Sequence, residues 1–206
     1  SCDDSLCTEI YYKNGYPIAK GKCTDGKKLG LWVSYYENGN VQSKGIIQNG
    51  RPHGKWLFYY VNGSKKAQGT FSNGQFEMGC AGSNNYIDAP IKTGRWSYWN
   101  KSNQIVQRCN YEQAENKTEQ RHGEYLSWYS SGQQKEKGSY KNGMKNGKWS
   151  YWFKNGQLQK EEFYSYQDCG RYDYIWYECP IGTWTYWNLE GLVLKKETYI
   201  DGVIVH

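Results

Sequence analysis

A short motif, glycine followed by any residue and then tryptophan, recurs along the chain and constrains its fold more than any other feature. Five copies carry tryptophan and a sixth carries tyrosine: Gly30-Leu31-Trp32, Gly54-Lys55-Trp56, Gly94-Arg95-Trp96, Gly147-Lys148-Trp149, Gly182-Thr183-Trp184 and Gly123-Glu124-Tyr125. A truncated copy with Thr8 in the aromatic place comes first, and successive anchors then lie 24, 24, 40, 29, 24 and 35 residues apart. The pattern predicts a single repeat domain over residues 1–206, with a period of 24 and three insertions.

Each unit reads as a strand, a turn and a second strand. Trp32 to Tyr36 is a short aromatic strand, and Asn38-Gly39 after it is typical of a type I′ hairpin turn. That turn would place Trp32 opposite Gly45, so that a large ring lies over a bare glycine on the neighbouring strand. The same arithmetic pairs Trp56 with Gly69, Tyr125 with Gly138, Trp96 with Cys109, Trp149 with Glu162 and Trp184 with Glu197. Seven such hairpins predict an all-β fold, an elongated antiparallel β-meander of stacked repeats.

Composition narrows the function classes. Aromatic residues make up 17% of the chain, which argues against disorder and means that Trp and Tyr must build the core. No run approaches the 18 apolar residues of a transmembrane helix. The net charge of +6 is too modest to indicate nucleic acid, and lysines among aromatic residues are better explained as exposed strand edges.

Motifs of the common enzyme classes are missing from the sequence. It has neither the Gly-x-Ser-x-Gly elbow of hydrolases nor the His-Glu-x-x-His zinc motif. The adjacent pair Glu161-Glu162 would point to opposite faces of a strand and could not share one acid–base site. We therefore expect no enzyme, no catalytic residues, no metal site and no cofactor.

The repeats resemble the MORN family (membrane occupation and recognition nexus), in its bacterial variant. The resemblance lies in stretches such as Gly54-Lys55-Trp56-Leu57-Phe58-Tyr59-Tyr60-Val61-Asn62-Gly63 and Gly138 to Trp149, and it covers nearly the whole chain apart from the insertions and the N-terminal stub. It implies a scaffold for protein or lipid contacts and, by analogy with many bacterial variants, an antitoxin or immunity role.

All three insertions fall in the connections between successive hairpins, at 75–93, 111–122 and 164–181. Insertions at one repeat position emerge on one edge and often form the binding face. Their charges are −1, −1 and −2, which leaves +10 on the scaffold. The last insertion is the richest in tyrosine, tryptophan and acids, the residue types of a protein-binding loop. The residues predicted to bind a partner are Tyr164, Tyr166, Asp168, Tyr172, Asp173, Tyr174, Trp176, Tyr177 and Glu178. The alternative is that this loop is a cap folded onto the sheet.

Seven cysteines favour an extracytoplasmic location, such as the periplasm or cell envelope of a bacterium. Ser1-Cys2 resembles the end of a lipoprotein signal peptide, so Cys2 is the candidate for lipidation. The other six are predicted to form disulfides by locality, as Cys7–Cys23, Cys80–Cys109 and Cys169–Cys179, with Cys7–Cys23 needing a bulge or frayed end.

Two functional hypotheses remain. The first is a non-enzymatic, extracytoplasmic protein-binding repeat protein, an immunity protein that neutralises a secreted bacterial toxin through its loop edge. The second is a lipid- or envelope-binding MORN scaffold, held peripherally at the membrane by a lipid anchor or by its basic surface.

Overall fold

The computed structural model describes residues 7–13, 15–24, 26–77, 86–114, 118–166 and 178–205. Within these ranges every regular element is a β-strand, and every strand pairing is antiparallel, so the predicted all-β meander of hairpin repeats is confirmed. The strands are β1 Cys7–Lys13, β2 Tyr16–Thr24, β3 Lys27–Tyr35, β4 Val41–Gln48, β5 Arg51–Tyr59, β6 Lys65–Glu77, β7 Tyr86–Trp99, β8 Ile105–Gln113, β9 Glu119–Trp128, β10 Gln134–Lys141, β11 Met144–Trp152, β12 Leu158–Tyr166, β13 Glu178–Pro180, β14 Gly182–Trp187, β15 Val193–Ile200 and β16 Val203–Ile204.

The residues group into two compact units. The first comprises Ser1–Gln104 with Glu112–Glu119 and contains β1 to β7, each strand pairing with the next along the chain. The second comprises Ile105–Tyr111 with Gln120–His206. Its strands also follow chain order, except that β12 pairs with both the short β13 and β14.

The hairpin turns differ from the predicted type. Gly39 has φ of 82° but Asn38 lies outside the left-handed region, and the Gly39 N–H donates to the Tyr36 carbonyl at 2.9 Å. This is a three-residue loop, a type I turn followed by a glycine bulge, rather than a two-residue type I′ turn. Gln42 is then skipped in the pairing, which restores the predicted register beyond it.

Type I′ geometry occurs instead in the connections between hairpins. Asn49 and Gly50 have φ of 52° and 76°, and Asn142 and Gly143 have φ of 51° and 82°. A β-branched residue could not adopt these values without strain. The asparagine of an Asn-Gly dipeptide therefore adopts positive φ in these connections but not in the hairpin turn at Asn38.

The anchor glycines are explained by β-bulges. Gly30 has φ of 69°, and in the pairing of β2 with β3 the register jumps from Gly21 opposite Trp32 to Lys22 opposite Leu29. Two residues of β3 are thus unmatched, and a bulge of this kind needs a residue that tolerates positive φ. The five other anchor glycines also have positive φ.

The pairing of tryptophan with glycine is confirmed, but the ring lies on the other neighbour. Trp32 is opposite Gly45 as predicted, yet the ring that covers Gly45 belongs to Trp56 of the following hairpin. The Trp56 Nε1–H donates to the Ile46 carbonyl at 3.1 Å, one residue beyond that glycine. Gly21, Gly69 and Gly138 are covered in the same way by Trp32, Trp96 and Trp149. At these four places, each within one unit, the tryptophan ring joins a hairpin to the one before it.

Each unit has an aromatic core on one face. In the first unit Trp32, Ile47 and Trp56 are buried together, flanked by Phe58 and Phe71. In the second unit the buried residues are Cys109, Tyr125, Tyr140, Trp149 and Tyr164. The expectation that Trp and Tyr build the core is therefore confirmed.

One predicted disulfide is wrong. Cys109 holds a thiol rather than a disulfide and is 1% exposed. It lies on a returning strand in the core with Tyr125 and Trp149, where a small apolar group fits. Its predicted partner Cys80 lies outside the described residues.

Two other cysteines are oxidised. Cys23 and Cys179 each take part in a disulfide. The backbone register places Cys7 directly opposite Cys23, because a bulge between Tyr11 and Tyr12 shifts the pairing by one residue, as this pair requires. The pairs Cys7–Cys23 and Cys169–Cys179 stay predictions, because the Cys7 side chain and Cys169 lie outside what the structure describes.

Candidate functional site

The predicted binding insertion is described only at its two ends. Asp168, Tyr172, Asp173, Tyr174, Trp176 and Tyr177 lie outside the described residues. Tyr164 and Tyr166 belong to the end of β12, and Glu178 begins β13. The register brings these ends together, with Tyr166 opposite Glu178. We call the described part of this region the insertion base.

Tyr164 lies on the core face of β12. Its side chain is 7% exposed, its ring centroid lies 5.2 Å from that of Trp184, and its hydroxyl donates to Glu162 at 3.0 Å. Its predicted contact with a partner stays a prediction, and the structure places the residue in the core rather than on the exposed part of the insertion. Tyr166, two residues later, is partly exposed.

The insertion base is fixed to the preceding type I′ connection. The Asn142 Nδ2 donates to the Tyr166 hydroxyl at 2.8 Å, and the Tyr166 N–H donates to Asn146 Oδ1 at 3.1 Å. The Lys145 N–H donates to Glu178 Oε1 at 3.1 Å. Both strands that lead into the insertion are thus held by side-chain contacts to one neighbouring connection.

The same carboxylate contact occurs at the second insertion. Glu119 accepts from the Lys92 N–H and from Lys92 Nζ, both at 2.9 Å. Glu119 and Glu178 each lie four residues before an anchor glycine, and Lys92 and Lys145 each lie two before theirs. This contact was not predicted, although the units aligned on their anchor glycines place both carboxylates at one repeat position.

A row of cations accompanies the anchor rings. The residue two before the anchor glycine places its charged group over the anchor ring, at 4.5 Å for Lys28 on Trp32 and 5.5 Å for Lys92 on Trp96. In the second unit Lys145 lies 5.1 Å from the Trp149 ring. Arg121 lies 5.9 Å from Tyr125 in the same way. This spacing of cation to aromatic residue was also readable in the sequence.

The core face of the second unit carries a polar row. Glu136, Tyr151, Lys160 and Tyr186 lie opposite one another on successive strands. The corresponding row in the first unit is Ala19, Ser34, Ser43, Phe58 and Ala67. Because the row of the second unit contains charged side chains, these charges must be paired with other groups on the same face.

Glu162 also lies on the core face of the second unit, and its side chain is only 3% exposed. It pairs with Lys160 and accepts from the Tyr164 hydroxyl. Burial first, and then the Glu162 charge, raise the pKa of both Tyr151 and Tyr164 well above the usual value. The phenols stay neutral, and the buried Glu162 carboxylate is stabilised by the Lys160 ammonium group and by the hydrogen bond from the Tyr164 hydroxyl.

Glu161 and Glu162 do point to opposite faces, as predicted. Glu161 contacts Lys148 and Ser150, whereas Glu162 lies in the core. Among the described residues no group of three His, Cys, Asp or Glu side chains is placed to hold a metal ion. That part of the chain also has no helix that is long and apolar enough to span a bilayer.

Comparison with known families agrees with the repeat geometry. The model described as MORN repeat variant matches four segments, residues 28–49, 52–73, 121–142 and 145–166. Each match begins two residues before an anchor glycine and spans the outgoing strand, the hairpin turn and most or all of the returning strand, so it covers one hairpin. A search of curated proteins finds no match. Repeats of this kind occur in proteins that are often involved in binding, and the chain contains four repeats that match the MORN repeat variant.

Proposed function

We propose that the chain is a non-enzymatic, extracytoplasmic binding protein that recognises another protein through its insertion-bearing edge. The observation that supports this most is the insertion base, where Tyr166 and Glu178 are tied to the preceding connection. A loop whose two ends are fixed loses less conformational freedom on binding than one that is free at its base.

The specific form that we propose is an immunity protein that neutralises a secreted bacterial toxin. The last insertion carries Asp168, Asp173 and Glu178 against the single cation Arg171. An acidic, aromatic loop complements a cationic cleft and accelerates association with it. The family resemblance supports this role by analogy.

A pull-down with the products of neighbouring genes tests the immunity role. We expect one of them to be a toxin that binds the purified protein and whose activity the protein abolishes. Failure to capture or inhibit any neighbouring product would overturn the immunity role.

Charge reversal in the last insertion tests the binding edge. Replacing Asp168, Asp173 and Glu178 with lysine should slow association by about tenfold or more at low salt, with a smaller effect on dissociation. Glu190→Lys is the matched control, because Glu190 is an exposed acid in a hairpin turn of the same unit. Equal association rates for both variants at every ionic strength would show that the insertion is a cap.

A second candidate function is binding to an anionic lipid surface. The observation that favours it is the repeated cation over the anchor ring, at Lys28 and Lys92 in the first unit and Lys145 in the second. Vesicles rich in phosphatidylserine should then bind the protein at low salt and release it at high salt. Equal binding to neutral vesicles would argue against this candidate.

A further inference from the structure

The second unit has a shallow groove of about 540 Å³ on the sheet face opposite its aromatic core. Its floor consists of Gly138, Ser139 and Ser150, and its walls include Lys148, Trp152 and Glu161. The proposed protein-binding function does not use this face.

The groove lies where the outward-facing side chains Ser139 and Ser150 are short. Gly138 contributes only backbone to it, because a Cβ at this position would point to the core side against the Trp149 ring. Ser150 is 8% exposed and lies directly opposite both Lys137 and Glu161 on its two neighbouring strands. The long side chains around these small residues form the walls.

The polar groups of the groove are fixed in position. Glu161 Oε1 accepts from Lys148 Nζ at 2.6 Å and from Ser150 Oγ at 3.3 Å. Lys137 and Glu124 also line the groove, so its two ammonium groups and two carboxylates balance. The groove therefore offers charged donors and acceptors without a net charge that would select an ion.

Trp152 supplies an apolar wall whose face is not covered by a cation within the described part of the chain. Elsewhere the equivalent outgoing strand ends in an aromatic ring that is covered: Lys65 Nζ lies 4.8 Å from Trp99, and Arg108 lies 5.6 Å from Trp128. Trp187 occupies the position of Trp152 one hairpin further on. The two indoles lie on strands separated by one intervening strand, about 9–10 Å apart.

We propose that this groove binds a neutral carbohydrate chain. The C–H face of a sugar ring packs on an indole, and vicinal hydroxyls pair with a carboxylate and an ammonium group that are already held together. The spacing of the two strands that carry these indoles, about 9–10 Å, is close to the length of two sugar rings in an extended β-1,4-linked chain. Open ends along the sheet would let such a chain continue past the groove.

The test is calorimetric titration of the full chain with cellohexaose and chitohexaose. At least one of them should bind, and Trp152→Ala should weaken that binding about tenfold or more, whereas Trp152→Phe should retain most of it. Glu161→Gln should weaken it severalfold, because the acceptor charge is lost. Trp99→Ala is the control and should leave the affinity unchanged.

The circular dichroism spectrum of each variant shows whether it is folded. If Trp152→Ala is not folded, the sugar affinities of Trp152→Phe and Glu161→Gln test the proposal instead. The proposal is overturned if neither oligosaccharide binds in the millimolar range, or if binding is indifferent to Trp152 and Glu161. It is also overturned if an unstructured peptide pool competes for the groove more effectively than either sugar, since the groove would then be a peptide site.

Discussion

At the scale of single residues, contacts between tryptophan and glycine join one hairpin to the next. A Cβ on Gly138 would collide with the Trp149 ring, whose Nε1–H also donates to the Ser139 carbonyl. The ring can therefore move away only by giving up this hydrogen bond.

Gly138→Ala should lower the free energy of unfolding by about 1–3 kcal/mol, because the added methyl group overpacks the core. Lys137→Ala is the matched control, since Lys137 lies on the opposite face and its change should stay within about 0.5 kcal/mol. Chemical denaturation measures both. Equal stabilities of the two variants would mean that the Trp149 ring does not rest on Gly138.

Alkaline pH should destabilise the protein through its buried tyrosines. Burial, with a smaller effect of the Glu136 charge, raises the pKa of Tyr125 to about 12. The unfolded chain loses this proton near its ordinary pKa of about 10, so above that pH the unfolded state binds fewer protons and stability falls as pH rises.

The contribution of Tyr125 to that loss should be about 1 kcal/mol between about pH 9 and pH 11. Denaturant unfolding of Tyr125→Phe at both pH values should show a correspondingly smaller decrease than the unmodified chain. Tyr36→Phe serves as the control, since Tyr36 is a partly exposed residue outside the core. Identical decreases for Tyr125→Phe and the unmodified chain would contradict the raised pKa.

At the scale of elements, asparagine serves the two kinds of turn in different ways. Asn38 uses its side chain: its Oδ1 accepts from the Asn40 N–H at 3.1 Å, and its Nδ2 donates to the Val61 carbonyl in the next hairpin turn at 3.1 Å. Asn49 uses its backbone, with φ of 52°. Replacement by glycine should therefore affect stability at Asn38 but hardly at Asn49.

Asn49→Gly should change the free energy of unfolding by less than about 0.5 kcal/mol, since glycine adopts positive φ without strain. Asn38→Gly should lower it by about 1 kcal/mol, because two hydrogen bonds are lost and the neighbouring turn loses a donor. Thermal and denaturant unfolding of both variants measure this difference. A larger loss at Asn49 than at Asn38 would reverse the assignment of the two turn classes.

At the scale of the whole molecule, disulfides and a buried thiol should be distinguishable by chemistry. Cys109 is 1% exposed, so an alkylating reagent should label it only after denaturation. Peptide mapping without reductant should find Cys23 joined to Cys7 and Cys179 joined to Cys169. A peptide that links Cys80 to Cys109 would contradict both the packing of Cys109 and this disulfide map.

Much of the candidate site followed from repeat arithmetic, and some of it did not. Counting from the anchor glycines placed the insertions between successive hairpins, and Tyr166 and Glu178 pair with each other at the two ends of the last one. The same counting could have found the shared position of Glu119 and Glu178. It could not show that Tyr164 is buried, because its burial depends on Trp184 of the following hairpin.

The sequence by itself determined the period, the strands and the pairing within hairpins, such as Trp32 with Gly45. These are local properties, since alternation along a strand and the length of a turn set them within one unit. Only the tertiary structure decided that the Trp56 ring covers Gly45, that Cys109 remains a thiol and that Lys148, Trp152 and Glu161 surround a groove at Ser150. Each of these depends on which side chains the neighbouring strands bring into contact, and burial there outweighs what the local pattern prefers.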